Sequence, residues 1–242
     1  MNKLRAMTEG GKRLREVRET IVSRISPGVK LLELEQLADS LINKSGGEAA
    51  FKRVPGYEWA TCINVNEGVV HGIPSERIIQ DGDVVSVDVG MIYRGWHTDT
   101  STTVIAGRKS AATSKLLRVG REALAAAIKE ARIGNRVGQI SLILEQVLRR
   151  GGMSPVKTLT GHGLGRALHE FPPIPCFLEA KIEDTAVINE GMGLAIEAIY
   201  TAGRPETRVA ADGWTVVTAD GSLAGLFEET VFVTAKGPVV VT

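Results

Sequence analysis

The sequence of 242 residues predicts a single α+β domain with internal pseudo-twofold symmetry. Three observations support this: helical apolar stripes, short β-branched runs, and a repeat of both along the chain. DGDVVSVD at 81–88 aligns without gaps on EGMGLAIE at 190–197. No Pro- or Ser-rich linker separates the halves, about 1–107 and 108–242, so we expect one domain. Helix-turn-helix patterns are common, and chance likeness of the halves stays an alternative.

Four amphipathic helices are indicated by apolar residues spaced three or four apart. Their stripes are Leu4, Met7, Leu14, Val17, Ile21; Leu31, Leu34, Leu37, Leu41; Leu116, Leu124, Ile128; and Ile140, Ile143, Leu144, Val147. The second and fourth helices belong to similar segments, 26–47 and 132–152, and both segments end in a Gly-Gly stop signal. Gly10 and Gly11 are expected to weaken the start of the first helix.

Six strands are indicated by β-branched and aromatic residues. They are expected at 62–66, 84–90, 101–107, 193–200, 214–218 and 230–234. In the aligned repeat, an acidic-Gly pair opens each strand and a carboxylate, Asp88 or Glu197, closes it. Glu228 precedes TVFVT, so we expect it to open its strand rather than end one.

Composition predicts a soluble globular protein of the cytoplasm. Hydrophobic residues make up 43% and charged residues 24%, and the net charge of +1 argues against a nucleic-acid or acidic-membrane surface as main partner. The charged N-terminal segment lacks the apolar core of a signal peptide, and no apolar run approaches a membrane span. Cys62 and Cys176 are too few for a disulfide framework.

Five potential metal ligands are spread along the chain, mostly within apolar, strand-like sequence: Asp88, Asp99, His162, Glu197 and Glu228. A carboxylate in a buried strand is costly unless something positive meets it. Four carboxylates and one imidazole carry too much negative charge to pack together unaided. They match the oxygen-rich, one-nitrogen set that two divalent cations would take, which indicates a two-metal hydrolase.

The two aspartates are spaced for a hairpin. Asp88 and Asp99 are eleven residues apart, which suits neighbouring strands joined through 93–95 and would direct both carboxylates into one cavity. The neighbouring threonines and His97 are candidate donors that orient these carboxylates. Taken alone, an aspartate at a strand end is more often a turn residue.

Histidines and a glutamate pair extend the candidate site. His162 and His169 bracket a Gly-rich turn, so we interpret His162 as a ligand and His169 as a donor to substrate. His71 precedes Gly-Ile-Pro and is expected on a loop edge facing a cleft, although an exposed turn histidine is the alternative. Strand alternation lets only one of Glu228 and Glu229 face the cavity, and Glu229 is expected to be solvated.

Over nearly its whole length the chain resembles the type I methionine aminopeptidase family. The resemblance is carried by INVNEGVVHGIP, DGDVVSVDVG, GWHTDTS, GHGLGRALHE, AIEAIYTAG, DGWTVVT and FEETVFVT. The short span between His169 and Glu197, without a large helical insert, is similar to type I rather than type II. The resemblance implies the pita-bread fold, in which helices lie outside a curved antiparallel sheet.

The resemblance also implies residue roles in removing N-terminal methionine. Asp88 would chelate one of two divalent metals, His162 and Glu197 the other, and Asp99 and Glu228 would bridge them. Glu197 would also move a proton, while His71 and His169 would contact the peptide and stabilise the scissile carbonyl. The substrate-binding residues implied are His71, His169, Tyr57, Cys62, Leu168 and Trp214.

Four positions depart from the family pattern. Leu168 stands where a phenylalanine is usual, Val54 where an aromatic residue is common, Ala198 where a proline is usual, and Glu229 where bacterial enzymes often carry histidine. These departures leave the metal ligands intact but change the pocket for the first side chain. A paralogue that removes another first residue is therefore an alternative.

Two further alternatives come from the same fold. Prolidases and proline-directed aminopeptidases share the fold and metal set but usually carry an N-terminal domain that we do not expect 242 residues to hold. A non-catalytic binding module would have eroded ligands, whereas all five are present here. Mn, Fe, Co or Zn would each accept this ligand set. The resemblance implies nascent proteins as substrates and contact with the ribosome, and we expect a monomer without a membrane partner.

Overall fold

The computed structural model describes residues 2–242 and confirms a mixed architecture of helices and antiparallel sheet. Four α-helices lie within these residues: α1 Lys3–Arg24, α2 Leu31–Lys44, α3 Ala111–Ile128 and α4 Val137–Arg150. The strands in the same residues are β1 Glu48–Ala49, β2 Thr61–Val65, β3 Gly68–Val70, β4 Val84–Tyr93, β5 Trp96–Ile105, β6 Ser154–Pro155, β7 Thr160–Leu164, β8 Glu170–Pro175, β9 Gly193–Thr201, β10 Thr207–Val209, β11 Val216–Thr218, β12 Ala224–Thr234 and β13 Gly237–Val240.

A ten-stranded antiparallel sheet forms the centre of the molecule. Its main order is β1-β4-β5-β12-β9-β7-β8, with β2 paired to β4, β6 to β9 and β13 to β12. A separate three-stranded sheet has the order β10-β11-β3. The first half supplies β4 and β5, the second supplies β9 and β12, and the two halves join where β5 meets β12.

The predicted pseudo-twofold symmetry is visible in matched elements. Helices α2 and α4 each have 14 residues and follow a positive-φ glycine, Gly28 or Gly134. The residue before α2 forms an isolated antiparallel bridge to Ile78, and the residue before α4 forms the same bridge to Val187. Helices α2 and α4 therefore begin in the same way in the two halves of the fold.

Two hydrophobic cores back the central sheet, one for each pair of helices. The first packs α1 and α2 on β2 and β4 through residues such as Leu14, Ile21, Leu34, Val87 and Met91. The second packs α3 and α4 on β9 and β12 through residues such as Leu116, Ile140, Leu144, Ile196 and Phe227. Most of the predicted apolar stripes lie on these buried faces. Leu37, Leu41, Ile143 and Val147 are only half-buried, however, and Ala38, Ile42 and Leu148 complete the buried faces.

The glycines near the start of α1 do not end the helix, because it continues from Lys3 to Arg24. They allow close packing instead. A β-carbon built on Gly10 would lie 2.8 Å from the β-carbon of Tyr93, and one built on Gly11 would lie 2.2 Å from the carbonyl oxygen of Val241. The low helix propensity of glycine is offset here by contact with the sheet.

The six predicted strands are present, but β4, β5 and β12 extend further than was predicted from the sequence. β5 begins at Trp96, so the polar run around Asp99 is strand rather than the approach to one. β12 begins at Ala224, so the expectation that Glu228 opens its strand is wrong. Asp88 and Glu197 likewise lie within β4 and β9 rather than closing them. Polar residues continue these strands because one face of the sheet lines a polar cavity.

Within residues 2–242, none of the helices combines the length and apolar character needed to cross a membrane.

Replacing Gly11 with alanine is expected to lower the free energy of unfolding, although alanine favours helix by about 1 kcal/mol. The added methyl group would overlap the Val241 carbonyl, and such overpacking costs about 1–3 kcal/mol. Urea unfolding checks this, with Thr8→Ala on the exposed side of the same helix as the matched control. A stabilised Gly11→Ala protein would show that α1 is not held against this segment.

Candidate metal centre

Strand register brings three of the predicted ligands into one row across the sheet. Asp88 on β4 pairs with Ser101 on β5, and Ser101 pairs with Glu228 on β12. Glu228 pairs in turn with Glu197 on β9. Residues directly opposite each other in antiparallel strands share a face of the sheet. Carboxylates more than a hundred residues apart in sequence therefore point into one space.

Asp99 and His162 join this row from neighbouring positions. Asp99 lies two residues before Ser101 on β5, and His162 pairs with Ala195, two residues before Glu197. Since side chains alternate between faces, residues two apart on a strand share a face. All five predicted ligands thus lie on the same face, at the junction of the two halves.

The distances between ligand atoms are those of a compact cluster. His162 Nε2 lies 3.7 Å from Glu197 Oε1 and 4.0 Å from Asp99 Oδ2. One ligand atom each from Asp99, His162 and Glu228 lie within 4.8 Å of one another. His162 Nδ1 is 3.0 Å from the carbonyl oxygen of Gly163, a contact that would hold the Nδ1–H tautomer and leave Nε2 free to bind.

The carboxylates are buried where protonation is favoured in the absence of cations. Burial raises the pKa of Asp88 to about 7. Burial, and then the negative charge of neighbouring carboxylates, raises the pKa values of Asp99, Glu197 and Glu228 well above their ordinary range. Burial lowers the pKa of His162 to about 4, which keeps its imidazole neutral. The site is short of positive charge.

The residues present fit divalent cations. Asp88 Oδ1 and Glu228 Oε1 are buried without a hydrogen-bond partner within residues 2–242. Buried carboxylate oxygens normally have partners, and leaving one unsatisfied is costly. Cations coordinated by these oxygens would remove that cost and offset the repulsion between the four carboxylates.

Threonines hold the backbone of the ligand strands. The Thr230 hydroxyl accepts from the Asp99 amide at 2.8 Å and donates to the Asp99 carbonyl at 2.7 Å, joining β12 to β5. The Thr100 amide donates to Asp99 Oδ1 at 3.0 Å. His97 has a different role from the one expected, because its amide and ring contact the Gly165 carbonyl, at 2.8 and 3.3 Å. It fixes the loop after β7 rather than a carboxylate.

Glu229 lies on the opposite face of β12 and is not simply solvated. Its Oε1 accepts from Arg18 Nη1 at 3.0 Å, and its Oε2 accepts from the Thr242 hydroxyl at 2.6 Å. Arg18 also donates to Thr100 Oγ1. Helix α1 thus supplies a cation to the back of the sheet, where the sequence had predicted only solvent.

A cavity of about 170 Å³ opens over the ligand row. Every residue predicted for the site lines it: Tyr57, Cys62, His71, Asp88, Asp99, His162, Leu168, His169, Glu197, Trp214 and Glu228. The sequence reading missed Phe51, Val70, Leu159, Thr160 and Ile199, and it treated Val54 only as a departure from the family. Phe51, Leu159 and Thr160 lie outside the motifs that the sequence analysis identified. Val70 and Ile199 lie inside such motifs, and strand alternation from Glu197 could have identified Ile199, two residues further along β9.

The cavity has an apolar wall and a rim of histidines. Tyr57 packs edge-on against Trp214, with ring centroids 5.1 Å apart, beside Cys62 and Leu168. The His162 and His169 ring centroids are 4.4 Å apart. His71 follows β3 in a left-handed conformation, with φ of 57°, which turns the chain at the rim. Burial lowers the pKa values of His71 and His169, so both rings are neutral donors near pH 7.

Comparison with known proteins gives a consistent picture. Residues 5–235 match Metallopeptidase family M24. A methionine aminopeptidase of Treponema pallidum is 41% identical over 231 residues, covering 96% of this chain and 90% of that protein. The crystal structure of methionine aminopeptidase from Thermotoga maritima is similar with a TM-score of 0.96 and 36% identity, covering 99% of this chain and 96% of that one. Prolidase from Pyrococcus furiosus has a TM-score of 0.79 at 21% identity, with 63% of its chain covered, and so shares the fold alone.

Metal-stripped protein is expected to lose stability as pH rises above about 6.5, because the pKa of Asp88 is raised to about 7 and those of Asp99, Glu197 and Glu228 are raised well above their ordinary range. Carboxyl groups whose folded pKa is raised stabilise the fold below their unfolded pKa, near 4, and this contribution is lost as pH rises through the folded pKa. Histidines with lowered pKa act oppositely, but their contribution is complete above about pH 6.5. The slope should be about 1.4 kcal/mol per pH unit for each proton released.

Urea unfolding of chelator-treated protein at pH 6, 7 and 8 checks this, with Glu228→Gln expected to reduce the slope. Added Mn²⁺ should raise the unfolding temperature more at pH 8 than at pH 6, because cations bind the deprotonated ligands. Stability that falls at no point between about pH 6.5 and 8 would contradict the assignment of raised pKa values.

Proposed function

The chain belongs to metallopeptidase family M24, and we propose from that premise that it is a methionine aminopeptidase, a hydrolase that removes methionine from the N-terminus of proteins. Its fold is the pita-bread fold of that family. The observation that carries the proposal is the shared face of Asp88, Asp99, His162, Glu197 and Glu228, opposite an apolar wall.

We propose that this face holds two divalent cations. Asp88 would bind one and His162 with Glu197 the other, while Asp99 and Glu228, central in the cluster, would contact both. Mn, Fe, Co and Zn all suit such ligands. When bound, the cations would supply Lewis-acid activation of water and of the scissile carbonyl.

The chain's own residues would position the peptide and move the proton. Glu197 lines the cavity, where it would accept a proton from the attacking water and pass it to the leaving amine. The neutral rings of His71 and His169 lie at the rim, where an N–H can donate to the carbonyl as negative charge develops. The free N-terminal amine of the substrate would bind one of the cations, which would restrict cleavage to a chain terminus.

The apolar wall would hold the methionine side chain. Tyr57, Cys62, Leu168 and Trp214 present aromatic, sulfur and aliphatic surfaces, which suit a flexible, polarisable thioether. The mouth near His71 is expected to admit only a small second residue. Leu168 and Val54 leave room for another first side chain, and this keeps a broader specificity as the second candidate.

The substrates would be newly made proteins in the cytoplasm, with processing at the ribosome and a monomeric enzyme. Xaa-Pro specificity is less favoured, since the two methionine aminopeptidases are 36% and 41% identical to this chain, whereas the prolidase is 21% identical and shows the fold alone. A single domain formed by both halves is also part of this proposal, because the ligand row crosses their junction.

Metal-stripped protein, reconstituted with Mn, Fe(II), Co or Zn, is expected to cleave Met-Ala peptides and to be inactive without added metal. Rates on a panel with alanine second and Met, Leu, Ala or Arg first, plus one Xaa-Pro peptide, check this. Cleavage confined to Met-Ala supports the proposal. Preference for another first residue would favour the second candidate, an aminopeptidase of different first-residue specificity. Inactivity of folded protein with every metal would refute both candidates.

Asp99→Ala is expected to bind one metal ion fewer and to lose nearly all turnover while remaining folded. Asp99 lies at the centre of the cluster, so its loss removes a ligand shared by both cations. Calorimetric metal titration, turnover and circular dichroism give the three readouts. Glu229→Ala, which removes a carboxylate from the opposite face of the sheet, is the matched control and should keep both metals. Retained turnover in Asp99→Ala would count against a bridging role.

A further inference from the structure

Helix α2 buries a carboxylate in its apolar stripe. Glu35 is 6% exposed, and the other buried residues of the helix are aliphatic: Leu31, Leu34, Ala38 and Ile42. A carboxylate at such a position destabilises the fold unless hydrogen bonds replace its hydration. Burial raises its pKa, and bonds from Ala60 and Thr61 oppose that shift. The role of Glu35 can therefore be inferred from the segment that these hydrogen bonds hold in place.

Glu35 accepts three hydrogen bonds from two consecutive residues. Its Oε1 accepts from the Ala60 amide at 2.7 Å, and its Oε2 accepts from the Thr61 amide at 3.0 Å and the Thr61 hydroxyl at 2.6 Å. These residues lie where the chain enters strand β2. Charge-assisted bonds of this kind are stronger than neutral ones, so the entry to β2 is fixed in position.

The fixed segment continues directly into the apolar wall of the cavity. The Tyr57 hydroxyl donates to the Thr61 carbonyl at 2.8 Å and lies 3.2 Å from Cys62 Sγ. Tyr57 and Cys62 both line the cavity, whereas Glu35 does not. A chain of contacts thus runs from the outer helix through the Thr61 backbone to the two pocket residues.

The second half of the molecule shows that the fold does not require this carboxylate. In the ungapped match of α2 and α4, the residue equivalent to Glu35 is Ser141. Ser141 is also buried, and its hydroxyl has no hydrogen-bond partner within residues 2–242. Helix α4 therefore packs on the sheet without a buried carboxylate at this position. The buried carboxylate, Glu35, occurs in the half that carries Tyr57 and Cys62.

We propose that Glu35 is a positioning residue for recognition of the substrate's first side chain, acting through Thr61 on Tyr57 and Cys62. The inference rests on the proposed function, since it concerns the pocket in which methionine would bind. It assigns Glu35 no contact with the substrate and no part in metal binding. Its loss should therefore weaken binding of the first side chain and leave the chemical step largely intact.

Glu35→Gln tests this, because an amide can accept at one oxygen only and would turn N–H donors toward a backbone amide. With the most activating metal, the KM for Met-Ala should rise about tenfold, the loss typical of one charge-assisted hydrogen bond. The kcat should change by less than about threefold, since the metal ligands are untouched. Thr61→Val, which removes one of the three bonds, should shift KM in the same direction by less and serves if Glu35→Gln does not fold.

Two controls separate positioning from a general loss of stability. Ile42→Val weakens the packing of the same helix, and Ser141→Ala changes the equivalent position in the other half. Both should keep the KM of the original protein. A KM in Glu35→Gln no higher than in Ile42→Val would overturn the proposal, as would a fall in kcat with KM unchanged.

A second readout needs no catalytic activity. Both cysteines are buried, but the thiol of Cys62 lines the pocket and is 4% exposed, whereas Cys176 is fully buried and donates to the Glu197 carbonyl. Alkylation by iodoacetamide, followed by mass spectrometry, should be faster at Cys62 in Glu35→Gln and unchanged at Cys176. Equal rates at Cys62 in Glu35→Gln and Ile42→Val would overturn the proposal. If the original protein cleaves no peptide, the proposed function fails, and the Cys62 rate still decides the role of Glu35.

Discussion

The main constraint on this structure is the repulsion between buried carboxylates, which strand register brings together and which the fold has to offset. Asp88, Glu228 and Glu197 occupy one row across four strands, and Asp99 lies beside it. Taking an ion out of water costs several kcal/mol, and four like charges add mutual repulsion. No arrangement of β4, β5, β9 and β12 that keeps the apolar cores on the helices can turn these groups to solvent, because a one-residue slip would reverse every side chain. The carboxylates on this face of the sheet therefore destabilise the fold unless cations offset their charge.

The helices pack on the side of the central sheet opposite the carboxylate row. Helices α1 and α3 lie against the opposite side of the sheet, and their glycines allow the close approach. Arg18 from α1 contacts Glu229 there, so the adjacent glutamates of β12 are separated, with Glu228 facing the cavity and Glu229 facing arginine. The same division appears in α2, where Glu35 is satisfied by backbone amides beside the pocket. Glu229 and Glu35 thus each have specific partners within the protein, whereas Asp88 Oδ1 and Glu228 Oε1 on the cavity face have none among the described residues.

Much of this could be predicted from the sequence, and the failures have a common cause. Periodicity found all four helices, and the repeat found the symmetry, because helix stripes and acidic-Gly strand starts are local signals. The strand limits around Asp99 and Glu228 were wrong because polar residues inside a strand look like a loop until the cavity is known. The partners of Glu229 and Glu35 could not be predicted, since Arg18 and Thr61 are distant in sequence and become neighbours only through the fold. Phe51 was missed because it lies outside every motif, and Ile199 was missed although strand alternation places it on the same face as Glu197.

The central position of β12 has a consequence for how the protein folds. This strand pairs with β5, more than a hundred residues earlier, and with β9 on its other side. Contacts of such long range make folding slow, because loop-closure entropy is lost before the pairing compensates for it. Until β12 inserts, β5 and β9 each present an unpaired edge, which is the surface from which chains aggregate. Conditions that supply cations during refolding should shorten that exposed period, since the strand that closes the sheet is also the one that brings in Glu228.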